Sequence, residues 1–140
     1  MKTALALALS LLALPAWAAD HVVEMRNAGA GGERMVFEPS FVRASVGDTI
    51  TFRSADAGHA VASVIVPTGA DAFDGNLDEA TTVTVTKPGA YLFKSKPHFA
   101  VGMIGLLVVD SPDANRGDID AFRPRGKLMR DRFEALRGQL

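Results

Sequence analysis

Between His21 and Val109 the chain is cut into short segments that alternate apolar and polar residues, each followed closely by a turn signal. In TITFR, the polar positions Thr49, Thr51 and Arg53 alternate with Ile50 and Phe52. A period of two suits a strand with one buried face. HVVEMR, the two segments either side of Pro39, VASVIV, TTVTVT and AYLF read as further strands. NAGAGGE, Gly47-Asp48 and Pro88-Gly89 supply the turns between them. MIGLLVVD is apolar almost throughout, as expected of a strand covered on both faces. Seven or eight such strands predict an all-β sandwich or Greek-key barrel.

The pattern changes after Asp110. Ser111-Pro112 has the form of a helix N-cap followed by a favoured first-turn residue. In RGKLMRDRFEALRGQL, Met129, Phe133 and Leu136 fall on one helical face. Arg130, Glu134 and Arg137 are spaced to support each other on the exposed side. One or two C-terminal helices over residues 111–140 should therefore pack on the β-domain of residues 19–110, with the Arg-rich face in solvent.

The N-terminus has the grammar of export. Lys2, an apolar run from Ala4 to Leu14, Pro15 and the triplet Ala16-Trp17-Ala18 make residues 1–18 a secretory signal cleaved after Ala18. The run is too short for a membrane anchor, which needs about 20 apolar residues. The mature chain would be a soluble exported protein of 122 residues beginning at Ala19. Cleavage removes Lys2 and no acid, leaving 14 basic residues against 16 acidic ones and a formal charge of −2. Nucleic acid, which favours a basic surface, is a poor fit as partner. Cysteine is absent, which excludes thiol catalysis, Fe–S clusters and any thiolate-bound metal.

The residues with the most chemical content lie in YLFKSKPHFAVGM, where His98 and Met103 sit in a loop leading into the last strand. An earlier loop holds His59 in DAGHAV. A lone histidine in a β-domain is usually incidental, but two histidines with a methionine at a strand-end loop suggest the His₂Cys site with weak axial Met that binds copper. Thioether and thiolate favour Cu(I), imidazole tolerates both oxidation states, and a fixed geometry lowers the cost of changing between them. Ser95 precedes His98 by three residues, where such a loop would carry its thiolate.

With these features, AD followed by VEM.N, MVFEPS, VGDTITF, GH, PGAY and K.KPHF..GMIG occur in order along the chain. In these landmarks the mature chain resembles the pseudoazurins, small periplasmic cupredoxins, over essentially its whole length. The resemblance implies a cupredoxin-like Greek-key β-sandwich of about eight strands with C-terminal helices. It also implies one copper ion, single-electron carriage rather than enzyme catalysis, and a monomer that meets periplasmic redox proteins. The family's ligands fall on His59, His98 and Met103, and its cysteine falls on Ser95. The asparagine that usually follows the first histidine is Ala60, the methionine common two residues before the axial one is Val101, and the glycine before that is Ala100.

A serine hydroxyl cannot replace the thiolate: its proton is far harder to remove, and it lacks the covalent sulfur that couples electrons quickly. The site would then be two imidazoles and a thioether, weaker and slower in redox cycling. An apolar end ringed by lysines docks partners in the family, and Phe99 and Val101 with Lys94 and Lys96 could form such a surface. Two other functions remain open: a metal-free or weakly metallated partner-binding module, and periplasmic copper buffering or delivery through His59, His98 and Met103. Cleavage after Ala18 would also create Ala19-Asp20-His21, whose amine, two deprotonated amides and imidazole can enclose Cu(II) in a square plane. The competing expectation is that His21 sits in the first strand with its backbone amide committed to the sheet.

Overall fold

The computed structural model describes residues 17–140; apart from Trp17 and Ala18, the expected export signal lies outside them. Eight strands form two four-stranded sheets, and two helices follow. The strands are β1 (Asp20–Ala28), β2 (Arg34–Glu38), β3 (Phe41–Ala44), β4 (Thr49–Ser54), β5 (Val61–Ile65), β6 (Thr81–Thr84), β7 (Gly89–Ser95) and β8 (Ile104–Val109). One sheet has the order β2-β1-β4-β6 and the other β3-β8-β7-β5. The parallel pairs β1·β4 and β3·β8 need crossover connections, which pass the chain between the sheets.

The alternation read in β4 is the one that folds: Ile50 and Phe52 are fully buried, whereas Thr49 and Thr51 are half-buried and Arg53 is exposed. Between the sheets, Phe93 meets Phe37 edge-on at 4.8 Å and Phe52 at 5.0 Å, and Phe73 stacks on Phe52 at 5.6 Å. Val23, Met25, Tyr91, Leu107 and Val109 complete this core. Strand β8 is buried along its whole length, because its second face carries the helices.

The helices are α1 (Arg116–Ala121) and α2 (Lys127–Arg137). Met129, Phe133 and Leu136 of α2 and Ile119 of α1 pack on Ala90, Leu92, Ile104 and Leu106 of the outer sheet face. On the opposite side of α2, Arg137 pairs with Glu134 at 2.9 Å. The expected start at Ser111-Pro112 is displaced: α1 begins at Arg116, and residues 113–115 form a turn. Asn115 gives the reason. Its side chain accepts from Ala90 N–H and donates to Ala90 C=O, both at 2.8 Å, which pins the chain to β7 before a helix can begin. Ser111 Oγ meanwhile accepts only from the Asp113 N–H, at 3.2 Å.

Candidate metal centre

Several chain segments meet at one end of the sandwich. Strand β7 ends at Ser95, β8 begins at Ile104, and the loop between them carries His98 and Met103. The loop between β4 and β5 carries His59, and the end of β1 supplies Asn27. Val61 faces Ser95 in the β5·β7 register, so the two histidine loops leave adjacent strands side by side. Backbone bonds hold them there: Lys96 N–H donates to Ala60 C=O at 2.7 Å, so the joining of the loops does not depend on a polar side chain at residue 60.

The second loop is folded on itself. His98 N–H donates to Ser95 C=O at 3.2 Å, Met103 N–H to His98 C=O at 3.1 Å, and Ser95 N–H to Met103 C=O at 3.1 Å. These bonds bring the start and end of an eight-residue connection together, a closed shape suited to presenting several side chains to one point.

His59, Ser95 and Met103 are fully buried, and His98 is half-buried. The two imidazole rings lie 4.8 Å apart between centroids. His59 Nδ1 and His98 Nδ1 each lie 3.4 Å from Ser95 Oγ. At that length the hydroxyl makes only weak hydrogen bonds.

On its far side, His59 Nε2 lies 2.9 Å from Asn27 Oδ1. An amide oxygen only accepts, so the ring proton belongs on Nε2 and the Nδ1 lone pair faces Ser95. Burial lowers the His59 pKa, and neighbouring His98 pushes the same way; Asp56 and Asp78 oppose them. A neutral imidazole with its other nitrogen fixed by an acceptor is the form that binds metals.

Asp78 supports the same loop. Its carboxylate accepts from the N–H groups of Gly58 at 2.6 Å and His59 at 3.2 Å, and its own N–H donates to His59 C=O at 2.7 Å. Sequence reasoning missed the roles of Asn27 and Asp78, since both act from segments remote in sequence. The N in VEM.N was visible, but nothing local said that it would meet His59.

Two imidazole Nδ1 atoms converge on one point, and imidazole nitrogen is a donor that fits a copper ion; Met103, at the loop's end, is fully buried and belongs to the core cluster between the sheets. These groups do not fit a blue-copper centre, because the atom at the convergence is a hydroxyl oxygen. Among the described residues no group of three or more His, Cys, Asp or Glu could hold a metal, so carboxylates do not compensate for the missing sulfur. Ser95, His59 and Asn27 have the order of a nucleophile, base and orienting group. Ser95 is fully buried, however, and no substrate carbonyl could reach its hydroxyl.

The other candidate residues are placed as follows. Val101 is 53 % exposed at the loop's tip, and Lys94 Nζ lies 4.7 Å from the Phe99 ring centroid. Lys96 pairs with Asp74 at 2.6 Å, so part of its charge is already met within the chain. Ala19-Asp20-His21 runs into β1, paired with β4 through Asp20↔Thr49 and His21↔Ile50. Ala19 N–H donates to Asp48 Oδ1 at 2.9 Å, and His21 Nε2 lies 2.8 Å from Asp48 Oδ2. The triplet would have to leave Asp48 and β4 to enclose a metal.

A two-sheet, eight-stranded sandwich in which two histidines from separate loops converge at one end defines a cupredoxin. Residues 23–110 match the copper-binding proteins of the plastocyanin/azurin family. The pseudoazurin of Paracoccus pantotrophus is 44 % identical over 140 residues, covering 98 % of this chain and 94 % of that protein. The pseudoazurin of Methylorubrum extorquens is 37 % identical over 131 residues, covering 91 % and 86 %. Among solved structures, the native pseudoazurin of Hyphomicrobium denitrificans superposes with a TM-score of 0.81 at 32 % identity, covering 86 % of this chain and 98 % of that one. The chain belongs to the pseudoazurins within the plastocyanin/azurin family of copper-binding proteins.

Proposed function

We propose that the protein is a periplasmic copper-binding cupredoxin whose role as a single-electron carrier is impaired because Ser95 stands in the place of the thiolate. The observation that carries the reading is the convergence of His59 Nδ1 and His98 Nδ1 on Ser95 Oγ, each at 3.4 Å. Bound copper supplies a one-electron couple. The chain's part is to hold two imidazoles in fixed orientation, to keep bulk water from His59 and Ser95, and to leave part of His98 at the surface. Asn27 fixes the His59 proton on Nε2, and Asp78 fixes its backbone.

No residue of the pocket supplies sulfur apart from Met103, so the soft donors that remain favour Cu(I). That preference supports a second reading, copper buffering or delivery in the periplasm. Partner docking at Phe99, Val101, Lys94 and Lys96 belongs to the first reading; no helix among the described residues is long and apolar enough to cross a membrane. Cleavage after Ala18 would release the mature chain.

Metal analysis and the absorption spectrum of protein isolated from the periplasm test the proposal. One copper per chain without an intense blue band supports it. No copper at all would favour the metal-free binding module.

A further inference from the structure

We propose that Arg132, on α2, is a positioning residue for the copper pocket, holding the backbone immediately before Met103 so that the C-terminal helix sets where the thioether sits. This rests on the reading of His59, His98 and Met103 as the pocket's ligands.

The arrangement of Arg132 differs from that of an ordinary surface arginine. Its guanidinium is half-buried and forms no salt bridge among the described residues. Instead Nη1 donates to Met35 C=O at 2.9 Å and to Gly102 C=O at 3.0 Å, while Nη2 donates to Arg34 C=O at 2.6 Å. Withdrawing a cation from water costs free energy that such hydrogen bonds only partly offset. A residue needed only to cover apolar surface would not carry that cost. A guanidinium does what an apolar side chain cannot: it joins two separate backbone segments through fixed, planar donors.

The point it grips is Gly102, the residue before Met103. Gly102 has φ +87, and a Cβ there would come within 3.0 Å of Met129 N and 3.1 Å of Met129 Cα. The backbone of α2 therefore lies directly against the loop. The peptide of Met103 is already tied to His98 and Ser95. Gly102 C=O is the group that points the other way, and Arg132 takes it. Met103 is thus held from the β-sandwich on one side and from α2 on the other.

Two readouts test this, one of them without metal. Label the methionine methyl groups with ¹³C, assign Met103 by Met103→Leu, and compare the metal-free wild type with Arg132→Gln and Arg132→Lys. The Met103 signal should shift or broaden in Arg132→Gln and return toward wild type in Arg132→Lys, which keeps a donor for Gly102 C=O. The signal of Met25, in the core between the sheets, should stay in place. Arg132→Lys alone suffices if Arg132→Gln fails to fold, since a single ammonium cannot span all three carbonyls and a smaller shift is expected.

Next, measure Cu(I) affinity by competition with a chromophoric chelator. Arg132→Gln should weaken it about tenfold, at the lower end of the range for groups that orient ligands. The same change in a Met103→Leu background should have no further effect. An unmoved Met103 signal, or an equal loss of affinity in both backgrounds, overturns the positioning role. If the signal moves as expected but the wild type takes up no Cu(I), the positioning of Met103 stands and the copper reading fails.

Discussion

Replacing Asn27 by alanine separates the binding chemistry of the pocket from the stability of the fold. The side chain makes one contact that matters to the site, from its Oδ1 to His59 Nε2 at 2.9 Å. Leaving a buried donor without a partner costs about 1–3 kcal/mol. Asn27 itself is exposed, so water can enter its place, and the metal-free protein should lose only about 1 kcal/mol. Copper should respond more strongly. Without an acceptor the proton is free to move to Nδ1, and the ring is free to turn away from Ser95. Losing such support typically costs about 10–100-fold in metal affinity, or about 1.4–2.8 kcal/mol. Thermal unfolding of the metal-free protein and competition for Cu(I) measure the two effects side by side. Asn27→Asp keeps the acceptor and should retain most of the affinity. Unchanged copper affinity in Asn27→Ala would refute the assignment of His59 Nδ1 as a ligand.

Acid should weaken the fold through Asp48. The N–H groups of Ser45 and Ala19, with His21, hold its carboxylate pKa down from 3.8 to about 2, so its stabilisation is present above pH 3.8 and fades as pH falls toward 2. Melting temperatures between pH 5 and 2 should fall less steeply in Asp48→Asn than in wild type; parallel curves would contradict this. Phe133→Ala empties a site that is 2 % exposed between α2 and the outer sheet face, and should cost about 3–5 kcal/mol in denaturant unfolding. If Ala19-Asp20-His21 encloses Cu(II), it does so in competition with Asp48. Titration should then show tighter Cu(II) binding in Asp48→Asn and none at the terminus in His21→Ala, whereas affinities equal to wild type in both would remove that site.

The parts of the molecule legible in the sequence are those set by local periodicity. Ile50 and Phe52 announce the buried face of β4, and the unbroken apolar character of β8 announces cover on both faces. The stripe Met129, Phe133, Leu136 announces the contact face of α2. His59, His98 and Met103 could be singled out because two of them share one short loop. The rest depends on distance in sequence. Asn27 reaches a histidine 32 residues away, and Arg132 reaches Gly102 across 30. Asn115 illustrates how a long-range bond can override a local signal: its grip on Ala90 delays a helix that Ser111-Pro112 would otherwise begin.

In the proposed function, copper is held by two imidazoles and a thioether with no thiolate. X-ray absorption at the copper edge of the Cu(I)-loaded protein tests it most directly, because the fine structure distinguishes imidazole nitrogen from sulfur scatterers. One copper per chain with two imidazole ligands and one sulfur is expected, the sulfur disappearing in Met103→Leu. A shell of nitrogen and oxygen alone, unaffected by Met103→Leu, would contradict it.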